Sequence, residues 1–216
     1  VPIVQTVPVD LAVPAARGRV LEELLLNDLA VDYVFANAGV SQRSTALDTS
    51  DEVANRLWEV NYRSVVEMAR ALVPPMVARG DGWFAAVSSM SAYVGAPWRS
   101  TYGATKAALS AYFATLANEL NDSPVGIHTV IPGFVRTGVS VSALRADGST
   151  HGKMDPNQDK SISPEVAATR ILRGIERGKR RVFVGMTPVT RLMVALSSVA
   201  PGIVDPLLRK AELGAP

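Results

Sequence analysis

Short apolar runs alternate with longer stretches of helical period along this chain, and that alternation predicts a parallel sheet with helices on both faces. Residues 31–36, 83–89, 126–131 and 181–185 read as strands. Val7-Pro8-Val9 reads as another short one, with Pro8 placed where no amide donor is needed. Residues 13–29 have helical periodicity weakened by Gly18. Thr49-Ser50-Asp51-Glu52 fits a capping box, opening a long helix to about Met76 that Pro74-Pro75 bends or ends. Gly80-Asp81-Gly82 then turns the chain into the next strand. An Ala-rich helix carries Tyr102 and runs to about Leu120. Ser163-Pro164-Glu165 opens a further helix, with Ser as cap and Pro in the first turn, and Gly178 ends it.

Two stretches resist this pattern. Residues 139–160 are polar, contain glycine and show no clear period, and so long a connection inside a compact domain is functional or mobile. The tail from Thr190 to Leu213 mixes apolar and basic residues around Pro201 and Pro206. Capping the core, lining a site and resting on a membrane surface are all open to it.

Composition narrows the chemistry. A chain of 216 residues fits one domain, residues 1–216, and buries a sizeable core. A net charge of +2 is too small to imply a nucleic-acid partner. With no cysteine there are no disulfides, thiolate nucleophiles or Cys-based zinc sites, and a reducing cytoplasm is compatible. His128 and His151 are isolated, so no metal is expected. The apolar run 192–204 is thirteen residues long, broken by Pro201-Gly202 and too short to span a bilayer. No secretory signal is expected.

Candidate chemistry concentrates in VSSMSAYVGAPWRSTYGATK, Val87 to Lys106. Tyr102 and Lys106 lie four apart on a helix, hence on one face, with the ammonium beside the phenol. A free phenol titrates near ~10, and an adjacent cation favours the phenolate, which makes Tyr102 a candidate proton donor and acceptor. Ser89, thirteen residues earlier, ends a strand where its hydroxyl can reach the oxygen on which Tyr102 acts. Asn61, in Trp58-Glu59-Val60-Asn61, sits mid-helix, where Asn is unfavourable by propensity. Asp10, after the first short strand, is a capping or loop aspartate as readily as a ligand contact. Asn37-Ala38-Gly39 and Pro132-Gly133, each after a strand, read alone as turns.

Taken together these motifs resemble the short-chain dehydrogenase/reductase superfamily, in its single-domain branch with a Rossmann-like doubly wound sheet. The resemblance implies hydride transfer at a nicotinamide. Ser89 would polarise and position the substrate oxygen, and Tyr102 would transfer the proton. Lys106 would lower the Tyr102 pKa and hold the nicotinamide ribose, and Asn61 would complete the relay through a water. It assigns Asp10 and Leu11 to the adenine end, Asn37, Ala38 and Gly39 to close approach of the cofactor, and Pro132, Gly133, Val135 and Thr137 to the nicotinamide and its carboxamide. The cofactor would be NADP or NAD, with NADP favoured by resemblance alone. Residues 139–162 would be the substrate loop and 187–216 a C-terminal helical tail. Residues 142–155 and 177–182 are similar to the branch near 11β-hydroxysteroid dehydrogenase and related membrane-associated reductases. That similarity implies a lipophilic carbonyl or alcohol substrate, while a cytoplasmic location and peripheral membrane contact through the tail are expected from the composition.

The helices carrying Asn61 and Tyr102 commonly pair subunits in this family. A homodimer or homotetramer is therefore expected, with Val65, Leu72, Leu109, Phe113 and Leu116 serving either that interface or the core. The family opens on a strand, a glycine-rich turn and a helix that together receive a pyrophosphate. Here the earliest glycine is Gly18. The first strand-helix units are expected to be missing, and with them the residues that separate NAD from NADP. A non-catalytic scaffold of the same fold, and an epimerase or dehydratase, remain as alternatives.

Overall fold

A computed structural model of the chain describes residues 5–26 and 30–210. The elements run α1 (Pro14–Leu26), β1 (Tyr33–Ala36), α2 (Asp51–Trp58), a π-helical turn (Glu59–Arg63) and α3 (Ser64–Arg79). They continue with β2 (Trp83–Val87), a 3-10 turn (Met90–Ala92), α4 (Ser100–Glu119), β3 (Gly126–Pro132) and α5 (Pro156–Asp159). α6 (Pro164–Glu176), β4 (Arg181–Val184), α7 (Pro188–Leu196) and α8 (Pro201–Lys210) complete the order. All four strands are parallel in the order β1-β2-β3-β4, with Phe84 level with Val34 and with Ile127.

Strand periodicity sorts the side chains between two faces. Val34, Ala36, Phe84, Ala86 and Ile127 point to one face, where α3 and α4 bring Val65, Leu72, Met76, Leu109 and Phe113 against them. Phe84 and Phe113 stack at 5.2 Å with neither ring exposed, each burial contributing about 1.5–3 kcal/mol. Ala85, Val130, Val182 and Val184 point the other way and are covered by Ala167 and Ile175 of α6. Val65, Leu72, Leu109 and Phe113 therefore belong to the core, and Leu116 packs against it partly buried.

Several sequence expectations are corrected. Val7-Pro8-Val9 forms no strand: no neighbouring strand pairs with it among the described residues, and Val7 is exposed. The expected helix over 13–29 is seen as Pro14–Leu26, and residues 27–29 lie outside the described residues, as do 1–4 and 211–216. The helix after the capping segment is interrupted by the π-helical turn, then passes through Pro74 and Pro75 to Arg79, where Gly80 caps it in a left-handed conformation (φ 75°). Ser50 alone caps α2, accepting from the Val53 amide, so Val53 rather than an acid holds the position a capping box needs. β2 stops at Val87, two residues short of Ser89.

Candidate active site

In an open parallel sheet the connections leave the carboxyl ends of the strands and enclose a crevice there. Here that crevice is a cavity of about 760 Å3, bordered by the segments after β1, β2 and β3. Asn37, Ala38 and Gly39 come from the first, Ser88 and Ser89 from the second, and Pro132, Gly133, Val135 and Thr137 from the third. Tyr102 and Lys106 enter it from the first turns of α4. Met90, Val94, Val139, Ile171, Leu172 and Leu208 make the remaining wall largely apolar, so residues of both the 139–162 segment and α8 reach the site.

Lys106 is buried, with its Nζ donating to the Val87 carbonyl at 2.8 Å. Burial penalises the ammonium and pushes its pKa down to about 8. Ser88 ties α4 to the end of β2, donating to the Lys106 carbonyl at 3.0 Å and sharing a 2.7 Å hydrogen bond with Ser110. Ser89, in extended conformation, caps the 3-10 turn by accepting from the Ser91 amide at 3.2 Å. α4 then packs so closely on that turn that a Cβ at position 103 would lie 2.9 Å from the Ser91 carbonyl. Gly103 thus fixes how near Tyr102 can come to Ser89, a constraint legible only as a glycine beside the tyrosine.

Asn61 projects from the π-helical turn and is fully buried. Its Nδ2 donates to the Val40 carbonyl and its Oδ1 accepts from the Val40 amide, both at 2.9 Å, while Nδ2 also reaches Thr105 Oγ1 at 3.2 Å. This two-point clamp fixes the chain just after Asn37-Ala38-Gly39. A Cβ at Gly39 would lie 3.1 Å from Asn61 Oδ1 and 3.4 Å from Lys106 Nζ. The backbone of the 37–39 turn therefore lies against both side chains.

Asp10 and Leu11 stand apart from the cavity lining. Asp10 accepts from the Ala12 amide at 2.9 Å and pairs with Arg56 at 3.3 Å, with both side chains about half exposed. The Ala12 amide hydrogen bond outweighs desolvation and, with Arg56, holds its carboxyl below the usual range. The Leu11 carbonyl accepts from Arg17, which is buried between Glu59 and Glu67 and joins α1 to the helices beyond.

Behind the site lies a group that the sequence pattern did not single out. Ser41, Gln42, Arg43 and Ser44 are all buried although all are polar. Gln42 Oε1 accepts from the Tyr102 amide at 3.0 Å, and its Nε2 donates to Thr49 at 2.7 Å and Ser44 at 3.0 Å. It thereby satisfies an amide in the first turn of α4, which has no partner within the helix. Asp155, from the 139–162 segment, receives Arg99 at 3.0 Å and lies 3.5 Å from Arg43. Desolvation first and the neighbouring Arg99 second push the Arg43 pKa down to about 10, and desolvation also lowers Arg99. Trp98, just before α4, holds a left-handed conformation (φ 58°), and its carbonyl accepts from the Ser44 amide at 3.3 Å. A run of polar residues gives no periodic signal of burial, so only tertiary contacts reveal this cluster. No group of three or more acids and histidines suited to a metal occurs among the described residues.

A parallel sheet with helices on both faces and a cleft at its carboxyl edge defines a Rossmann-like α/β protein. The chain belongs to the short chain dehydrogenase family, whose model matches residues 3–147. It is 36% identical over 198 residues to a bovine (Bos taurus) protein named dehydrogenase/reductase SDR family member 7B, covering 92% of this chain and 61% of that one. It is 31% identical over 204 residues to an Anopheles gambiae protein named dehydrogenase/reductase SDR family protein 7-like, covering 94% and 64%. The chain thus spans about three fifths of the length of these relatives. Among solved structures, a short-chain dehydrogenase from Sphingobium yanoikuyae in complex with NADPH superposes with a TM-score of 0.72 at 21% identity, over 96% of this chain and 76% of that one. A family member from Burkholderia phymatum in complex with NAD gives 0.75 at 19% identity, over 91% and 75%. At these identities the structural likeness shows the fold.

Proposed function

We propose that this chain carries the catalytic half of an NAD(P)-dependent oxidoreductase that interconverts an alcohol with a ketone or aldehyde. The observation that carries this reading is the convergence of Ser89, Tyr102 and Lys106 on one cavity with the 37–39 turn and the 132–137 segment. The site suits a flat nicotinamide nucleotide. At Gly39 the backbone is bare where a side chain would press on Asn61 and Lys106. Lys106, Asn37, Ala38, Gly39, Pro132, Gly133, Val135 and Thr137 would hold the nicotinamide half, with Asp10 and Leu11 toward the adenine half. The solved family members in complex with NADPH and with NAD support either cofactor, and NADP is favoured by the family resemblance alone.

When bound, that group supplies the hydride acceptor or donor. The protein's part is orientation and proton handling. Ser89 donates to the substrate oxygen, Tyr102 gives it a proton in reduction and removes one in oxidation, and Lys106 keeps a positive charge one helical turn away. Asn61 holds the 37–40 segment against Lys106, and that both side chains border Gly39 supports a part for Asn61 in proton relay. The apolar wall from Met90 to Leu208 supports a lipophilic substrate. A cytoplasmic setting, pairing into dimers or tetramers and peripheral membrane contact through the tail belong to the same reading. No helix among the described residues is long and apolar enough to cross a membrane.

The test is NADPH- or NADH-coupled turnover with ketones of increasing apolar area. Rates should rise with apolar area. Tyr102→Phe should abolish turnover, by a factor on the order of a hundred to ten thousand, with unchanged circular dichroism. Near-normal rates in that variant, or activity confined to small sugars and polyols, would contradict the reading.

A further inference from the structure

α6 and β4 also border a second concavity, of about 310 Å3, that shares no lining residue with the first cavity. Its lining includes Arg170, Arg173, Arg177, Lys179, Arg181 and Arg191, and no acid. Arg170 and Arg173 lie on α6 and Arg177 caps its end, Lys179 lies in the turn, Arg181 is on the edge strand β4 and Arg191 comes from α7. None of the six side chains has an acidic partner or a hydrogen-bond acceptor among the described residues, whereas the neighbouring Arg180 is bound to Asn118 and Asn121.

Packing forces these charges together. A Cβ at Gly174 would lie 2.6 Å from Val182 Cγ1, so α6 rests directly on β4 and its basic face meets Arg181 at close range. The negative end of the α6 dipole accounts for one or two cations in its last turn. It does not account for Arg181 or Arg191, which come from other elements. The asymmetry is also global: the chain carries +2, and +2 less these six cations leaves −4. Residues 166–204 contain seven cations and a single acid, Glu176, which is outside the lining. Like charges confined to one hollow repel, and a multiply charged anion relieves that repulsion. Five of the six are arginines, whose planar forks match phosphate oxygens in pairs. A second copy of the same face would set cations against cations.

We propose that this concavity is a binding site for a phosphoryl group of at least two negative charges, carried by a lipid headgroup or by a soluble phosphate ester. It is independent of the hydride-transfer reading. Two probes separate the sources: calorimetric titration of the full chain with inorganic pyrophosphate, and co-sedimentation with phosphatidylcholine vesicles with and without phosphatidic acid. Binding should weaken roughly tenfold in Arg173→Gln/Arg177→Gln, and also in Arg181→Gln/Arg191→Gln, whose changes lie on different elements. It should also fall as salt rises. Sedimentation only with phosphatidic acid vesicles assigns the site to a lipid, and pyrophosphate binding without vesicle binding assigns it to a soluble ester. Absence of binding to both probes, or binding unchanged in both variants, overturns the proposal.

Discussion

The 37–39 turn and the Asp10-Leu11 turn are both expected to touch one nucleotide, yet the fold treats them differently. The first is fastened from behind by Asn61, pressed on Lys106 and set into the cavity wall. The second lies outside that wall, with Asp10 half exposed and held by one amide and one surface pair. Around the 37–39 turn, geometry is fixed by buried groups that have few alternatives. At Asp10 it rests on contacts that water and salt can replace. The 37–39 turn is thus held by the described sheet and helices, whereas Asp10 gains little order from them.

Four changes sharpen that contrast, beginning with the loss of turnover in Tyr102→Phe given above. Lys106 comes next. Its folded pKa is about 8 against 10.5 unfolded, so burying the ammonium costs about 3 kcal/mol below pH 8, and the cost fades as pH rises toward 10.5. Denaturant melts of the cofactor-free protein should therefore show the wild type gaining stability relative to Lys106→Met across that window. A flat difference would mean that Lys106 is better solvated than its burial implies. Third, Asn61→Leu leaves the Val40 amide and carbonyl without partners, at about 1–3 kcal/mol for each group left buried. Slowed turnover with an altered KM for the nucleotide should accompany the lower midpoint. Smallest is Asp10→Asn: the exposed pair with Arg56 is worth under about 1 kcal/mol, so the melting midpoint should hardly move. If instead Asp10→Asn destabilised more than Asn61→Leu, the contrast between the two turns would be reversed.

Which parts were legible beforehand follows from where each signal lives. The four strands of the sheet were readable because each is a short apolar run closed by turn residues, and α6 because Ser163 and Pro164 announce its start. Tyr102 and Lys106 were readable from one helical turn of spacing, and Ser89 from its place after an apolar strand. The π-helical turn at Glu59–Arg63 leaves no mark on hydrophobic period, so the sequence offered a straight helix with an ill-favoured Asn in its middle. Burial turns that local fault into a clamp on Val40. Gln42, Asp155 and Arg43 were missed for a similar reason: they pair with Tyr102, Arg99 and Asp155, which lie 60, 56 and 112 positions away, and nothing local distinguishes them from a solvated loop. Val7-Pro8-Val9 failed in the opposite direction, since β propensity without a neighbouring strand makes no ladder.

The measurement closest to the central claim is a fluorescence titration of this chain with NADPH and, separately, NADH, repeated on Gly39→Val. The account predicts saturable binding of at least one nucleotide by the wild type, weakened in the variant because its side chain would press on Asn61 and Lys106. Binding of neither nucleotide, or equal binding by both proteins, would contradict it.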